Sequence, residues 1–260
     1  MKLLYATRPY EVEKGEADRV YAKWEEKCYK AVKRGNFKEY KENIHNIVRD
    51  FKKIKIKERN IPKVGIVGEI LVKYHFFAND NLVEKLEKEG AEVTCPDLMG
   101  FVKYCAYNAT VKEKLLKKGF LNSFLNKRAL DLMNIYERQV RKELQGTRYR
   151  MPTDIYELAE NVKPVLSTGN QTGEGWFLTG EMIELMKDDI KNIVCVQPFA
   201  CLPNHIVGKA VIKQIRRLYP EANITPIDYD PGASHTNQVN RIKLMLTVAK
   251  DNIKKDKEDE

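Results

Sequence analysis

Three short apolar, β-branched runs limit what this chain can fold into more than any other feature. They are ValGlyIleValGly at 64–68, AsnIleValCysValGln at 192–197 and AsnIleThrProIleAsp at 223–228, and helix-length segments separate them. A strand that reads as a near-continuous apolar run is buried on both faces, which requires a parallel sheet covered by helices on both sides. Ala91 to Thr94, closed by Pro96, adds a short strand after a helix expected over 79–89, so that 61–94 makes one βαβ unit. Further helices are expected near 154–161, 176–187, 204–218 and 236–250. This alternation predicts an α/β fold, a doubly wound, flavodoxin- or Rossmann-like parallel sheet with right-handed crossovers.

Two segments stand outside that alternation. Between Gly15 and Lys33, and again between Asn36 and Lys53, apolar and aromatic residues recur at helical spacing (Tyr21, Trp24, Cys28; Tyr40, Ile44, Ile47, Phe51), with Arg34-Gly35-Asn36 between them. Residues 1–60 are therefore expected to form an N-terminal helical hairpin ahead of an α/β domain at 61–250. Within that domain a long helical insertion is expected at about 111–150, with Leu115, Leu116, Phe120, Phe124, Leu125, Leu132, Ile135 and Val140 as its apolar stripe and Gly119 as an interruption. The charged tail at 251–260 is expected to fray.

The formal net charge of +9 suggests a nucleic-acid partner until it is divided along the chain. Residues 1–60 carry 17 basic and 10 acidic groups, and residues 111–150 carry 11 and 4, so each segment holds an excess of +7. The remainder, 61–110 (5 basic, 7 acidic) and 151–260 (13 basic, 16 acidic), sums to −5. The excess thus sits on helical segments, as a solvated surface or a docking face for an acidic partner. No zinc-finger or RNA-recognition signature accompanies it, so no nucleic acid is expected. No apolar run approaches the roughly 18 residues of a membrane span, and the first residues lack a secretory signal pattern, so the expected location is the cytoplasm, with no membrane partner. Five cysteines, Cys28, Cys95, Cys105, Cys195 and Cys201, include no CxxC pair, which leaves thiols or metal ligands rather than a disulfide framework.

In open α/β sheets ligands bind beyond the carboxyl ends of the strands, where loops converge and helix N-termini point their free N–H groups. That rule selects Glu69 and Tyr74 after the first strand, the 167–176 loop, 197–205 and 228–237. Cys201 lies in a proline-bounded loop ahead of a helix start, where the helix dipole is expected to favour a thiolate that serves as metal ligand or nucleophile. Asn204 is read as the N-cap of that helix, and Cys195, between two valines, as core. The loop SerThrGlyAsnGlnThrGlyGluGlyTrp offers Gly169, Asn170, Gln171, Gly173 and Gly175 as a backbone cradle for an anion, or as a tight structural turn. Glu174 is read either as a general acid or base or as a helix-start carboxylate, and Glu69 is the second candidate acid. Asp230 and Ser234 belong to a turn that also holds His235. A Ser-His-Asp triad there is disfavoured, because Ser234 and His235 are adjacent and no GxSxG occurs, so Ser234 reads as a helix N-cap. No histidine falls in HExxH spacing.

Four blocks in fixed order carry a resemblance. ValGlyIleValGlyGlu, ThrGlyAsnGlnThrGlyGluGlyTrpPheLeuThrGlyGlu, CysValGlnProPheAlaCysLeuProAsnHis and IleAspTyrAspProGlyAlaSer, with ArgProTyrGlu at 8–11, resemble the C-terminal region of 2-hydroxyacyl-CoA dehydratase and activase-associated iron–sulfur proteins of anaerobes, over nearly the whole chain. The resemblance implies an iron–sulfur cluster, of the 4Fe-4S or double-cubane type, with Cys201 of the GlnProPhe-x-CysLeuPro motif among its ligands. It also implies a dehydratase-like partner subunit, an ATP-dependent activator, and an acyl-CoA or other small-molecule substrate, in a carbon–oxygen lyase or a low-potential reductase. The family's other cluster cysteines lie upstream of the region matched here, and Cys95 and Cys105 sit in no matching motif, so the resemblance implies a split subunit or a C-terminal fragment. The alternative is an accessory or scaffold module without a cluster of its own.

Overall fold

The computed structural model describes residues 1–230 and 232–258 and divides into two compact units, one of residues 61–130 and 153–260, the other of residues 1–60 and 131–152. The larger unit is built on four parallel strands, β1 (Lys63–Gly68), β2 (Glu92–Thr94), β3 (Asn192–Gln197) and β4 (Asn223–Asp228), in the order β2-β1-β3-β4. The register runs Val64 against Asn192 and Val93, and Cys195 against Pro226.

Alternate residues of the strands feed two separate cores, as a period of two requires. Val64, Ile66, Val194, Val196 and Ile227 pack with Leu82 and Leu86 of α5 (Leu82–Lys88) and with Ile242, Met245 and Leu246 of α12 (His235–Glu258). Val67, Ile193, Cys195 and Ile224 face the other way, onto Leu178, Met182 and Leu185 of α9 (Gly175–Lys187) and Ile215 of α11 (Ile212–Leu218). Helices therefore cover both faces, and the fold is the doubly wound α/β sheet that the apolar runs predict. A side chain at Gly65 would place its Cβ 2.5 Å from Leu185, so this glycine lets α9 approach the sheet closely.

Helix α9 is buried on every side, because a third layer closes over it. That layer is α6 (Leu98–Leu116) and α8 (Ile155–Val162), whose Tyr104, Tyr107, Ile155 and Leu158 cluster with Trp176, Phe177 and Ile183. Helix α6 starts at Leu98, well before the expected insertion. Its first half, rich in aromatic and β-branched residues, has weak helical signal of its own, and burial with an Asp97 cap accepting from the Gly100 N–H supplies the rest. Helix α7 (Phe120–Leu144) follows after Gly119. The apolar stripe expected here is largely uncovered: Leu115, Leu116, Phe120, Leu125 and Leu132 are all more than half exposed. The single helix expected over 204–218 is broken into α10 (Leu202–Asn204), a π-turn at His205–Lys209, and α11. Helix α12 continues to Glu258, since its early turns are anchored through Ile242, Met245 and Leu246. The frayed end expected at 251–260 is helical that far, and 259–260 lie outside the described residues.

In the smaller unit, α2 (Glu16–Arg34) and α3 (Phe37–Lys53) form the expected hairpin, and a further short helix, α1 (Lys2–Thr7), precedes it. Gly35 ends α2 in the left-handed conformation, and Asn36 caps α3 by accepting from the Lys38 and Glu39 N–H groups. Its core joins Leu4, Ala17, Val48, Phe51 and Ile54 to Leu144 and Tyr149, so residues from the distant 131–152 segment complete it.

No helix among the described residues is long and apolar enough to cross a membrane.

Candidate functional site

The chain leaves β1 toward β2 on the α5 face of the sheet and returns to β3 across the α9 face. The crevice between the carboxyl ends of β1 and β3 is therefore the point at which the winding reverses, the usual ligand position in such sheets. Two glycines and one buried amide build it. Gly68 ends β1 at φ +139°, where a Cβ would lie 1.9 Å from the Val196 carbonyl oxygen, so only glycine lets the strands stay this close. Gly175 starts α9 at φ +48°, where a Cβ would stand 2.3 Å from both the Asn170 carbonyl and the Tyr104 hydroxyl.

Glu69, Glu174 and Asn204 meet in this crevice. Glu69 caps α4 (Ile70–Tyr74), its Oε2 accepting from the Val72 N–H at 2.8 Å. Glu174 is buried, and its Oε1 accepts from the Ile70 N–H at 3.1 Å. Asn204, expected as a helix N-cap, is instead fully buried inside the turn. With its amide oriented to pair both ends, Nδ2 donates to Glu174 Oε2 (2.9 Å) and Oδ1 accepts from the Glu69 N–H (3.0 Å). One amide thus ties the β1 loop, the α9 start and the β3 loop together. Burial pushes the Glu174 carboxyl above the ordinary carboxylate range; backbone N–H groups oppose this, and nearby Glu69 adds to it. Glu174 consequently takes up a proton more readily than a surface carboxylate.

Cys201, one residue beyond Ala200, is half-buried and occupies the N-cap position of α10. Ala200 has φ +58°, a left-handed conformation costly for a residue with a Cβ, and this turn sets the direction in which Cys201 leaves the strand. The expected thiolate is not supported. Helix α10 is only three residues long, burial pushes the Cys201 thiol up, an N–H bond from Asn204 opposes this, and the carboxylates of Glu174 and Glu69 raise it further. The Cys201 carbonyl accepts from the His205 N–H (3.0 Å), and the Nδ1–H tautomer of His205 donates to it as well (2.9 Å).

The 167–176 loop closes on itself more than it opens to a ligand. Gly169 N–H donates to Ser167 Oγ, Asn170 N–H to the Ser167 carbonyl, Gly175 N–H to the Thr172 carbonyl and Trp176 N–H to the Asn170 carbonyl. The Tyr104 hydroxyl lies 3.1 Å from the carbonyls of both Gln171 and Gly173, and burial pushes that phenol up to about 12. Three of the five N–H groups expected to form an anion cradle, those of Gly169, Asn170 and Gly175, therefore already have partners within the loop. Asp230 and Ser234 likewise serve the turn: Asp230 Oδ2 accepts from Gly232 N–H, and Ser234 Oγ accepts from Asn237 N–H at the start of α12. His235 pairs with Asp80 (3.0 Å), not with Ser234, so no triad forms; Pro231 lies outside the described residues.

The sequence patterns do not single out the Lys73–Glu181 pair, and they mark Gln197 only as the start of the 197–205 segment. Lys73 on α4 and Glu181 on α9 form a bidentate ion pair (2.7 and 2.9 Å) with side chains 0% and 2% exposed, directly beneath the crevice. A lone charge inside each of two apolar segments, IleLeuValLysTyr and LeuThrGlyGluMetIle, was the available signal. Gln197, also fully buried, donates to Asp228 Oδ1 (2.8 Å) and so joins the ends of β3 and β4; its Oε1 has no hydrogen-bond partner among the described residues.

As a metal centre the donor set is incomplete. Cys195 is buried in the core, Cys105 is exposed on α6 and Cys95 is half-buried just past β2. No three His, Cys, Asp or Glu side chains among the described residues form a metal-holding group. A cubane cluster needs about four ligands, and Cys201 fits as one of them only. No protein-family model, curated protein or solved structure matches the chain.

Proposed function

We propose that this chain is the α/β component of a 2-hydroxyacyl-CoA dehydratase-like or ATP-dependent reductase system, in which Cys201 is one ligand of an iron–sulfur cluster and another polypeptide supplies the rest. The observation that carries this reading is the setting of Cys201. Its half-buried thiol sits at the winding reversal of the sheet, and the loops around it expose large apolar side chains. Phe199 (73% exposed), Leu202 and Ile206 flank it in sequence, and Leu71, Phe76 and Phe77 (81% exposed) lie on the β1 side. Exposed apolar surface at this density marks a face that another protein covers. A dehydratase-like partner subunit seated there would bring further thiols to the crevice, and an ATP-dependent activator and an acyl-CoA substrate complete the system. Within it the buried Glu174 carboxyl takes up a proton more readily than a surface carboxylate, while Glu69 and Asn204 fix the two loops. The accessory-module reading gains from the burial that pushes the Cys201 thiol up.

Iron and acid-labile sulfide, with the visible spectrum, of the anaerobically reconstituted chain and its Cys201→Ala variant separate the two. Cluster in the parent, lost in a variant with unchanged far-UV circular dichroism, supports Cys201 as a ligand. Equal content in both removes Cys201 from the cluster, and no iron in either favours the accessory module.

A further inference from the structure

The outer edge of β4 carries a groove of about 770 Å³, lined by Lys209, Lys213, Arg216, Arg241 and an apolar floor that includes Ile224, Pro226 and Leu244. We propose that this groove binds a nucleoside diphosphate or a ligand carrying that group, with phosphates on the cations and a flat ring on the floor. The inference is independent of Cys201 and of the cluster.

An exposed sheet edge ordinarily recruits another strand, and this one is poorly suited to that. Asn223 N–H donates to the Lys191 carbonyl and Tyr229 N–H to the Gln197 carbonyl, so the odd-numbered residues of β4 face β3 and the even-numbered ones face outward. Outward, Arg216 donates to the Ala222 and Ile224 carbonyls, Pro226 has no N–H, and Gln238 Nε2 donates to the Asp228 carbonyl. A peptide cannot build a continuous backbone ladder here, which favours a ligand that engages side chains.

The charges select its chemistry. Lys209 is matched by Asp228 (2.9 Å), but Lys213 and Arg241 have no carboxylate partner among the described residues, and Arg216 spends its hydrogen bonds on neutral carbonyls. Three uncompensated cations line one groove with no acidic side chain among its lining residues. A monocarboxylate would leave two of them unmatched; a diphosphate supplies the needed charge, and guanidinium groups suit phosphate oxygens. Leu244, 69% exposed, with half-buried Pro226 and Ile212 provides the apolar surface on which a planar ring can lie. The volume is in the range of small-ligand pockets, about 300–1,000 Å³.

The test is calorimetric titration of the full chain with ADP, adenosine and inorganic pyrophosphate at low salt. ADP should bind one per chain and more tightly than either fragment, and more weakly as salt rises. The Lys213→Glu/Arg241→Glu variant alters two exposed side chains and should weaken ADP by about tenfold or more with unchanged circular dichroism. Leu244→Ser should weaken ADP while leaving pyrophosphate unaffected. The proposal is overturned if ADP gives no saturable heat, if the charge reversal leaves its affinity unchanged, or if a poly-glutamate peptide binds the groove while ADP does not.

Discussion

The two compact units treat charge in opposite ways. In the helical unit surface ion pairs are plentiful: Lys30 with Glu26 and Arg34 with Glu39 join side chains that are mostly more than half exposed. Pairs of this kind contribute about 0–1 kcal/mol each, so the basic excess of residues 1–60 says little about what holds the hairpin together. Its stability rests on Leu4, Val48, Phe51 and their partners in the core. In the α/β unit the decisive pair, Lys73 with Glu181, is sealed from water and bridges 108 residues of sequence. There each charge depends on the other, because a buried charge left alone is strongly destabilising. Counting charges is therefore uninformative in the first unit and informative in the second.

The sharpest way to break the contrast is Lys73→Met. Removing one partner strands the Glu181 carboxylate and should cost about 3–5 kcal/mol in urea unfolding, whereas Lys73→Met combined with Glu181→Leu should recover most of that loss. If the single variant cost no more than a surface substitution, the pair would not be the anchor described here.

A second effect concerns pH. Burial raises the folded-state pKa of Glu174 above its unfolded value, so its favourable contribution is full below the unfolded carboxyl pKa and is lost as pH rises through the folded one. Glu174→Gln removes that titration. Relative to the parent, the variant's stability should improve from acid to neutral pH, as followed by denaturation midpoints across the range. A difference independent of pH would mean that Glu174 is not held up by burial. The smallest effect is expected in the helical unit: Lys30→Ala should change stability by less than about 0.5 kcal/mol, and a larger loss would erase the contrast.

Much of the architecture was legible because it depends on local pattern. The apolar runs at 64–68, 192–197 and 223–228 required a covered parallel sheet, and Arg34-Gly35-Asn36 marked the α2–α3 turn through a left-handed glycine and a side-chain cap. The general rule for such sheets also places Glu69, Glu174 and the 197–205 loop at the carboxyl ends of the strands. Long-range partnership was not legible. Asn204 looked like a helix cap because its neighbours are a proline and an apolar run; only the tertiary fold buries its amide between Glu174 and the Glu69 N–H.

What the sequence determined alone was the kind of element each segment forms and the sheet edge at which chemistry would gather, since both follow from periodicity, glycine and capping within a few residues. The tertiary structure alone decided the surroundings of each group there: that burial pushes the Cys201 thiol up, that Glu174 gains affinity for a proton, and that residues 131–152 complete a core begun at Leu4. These outcomes depend on desolvation and on charges brought close by packing, and no stretch of neighbouring residues encodes either.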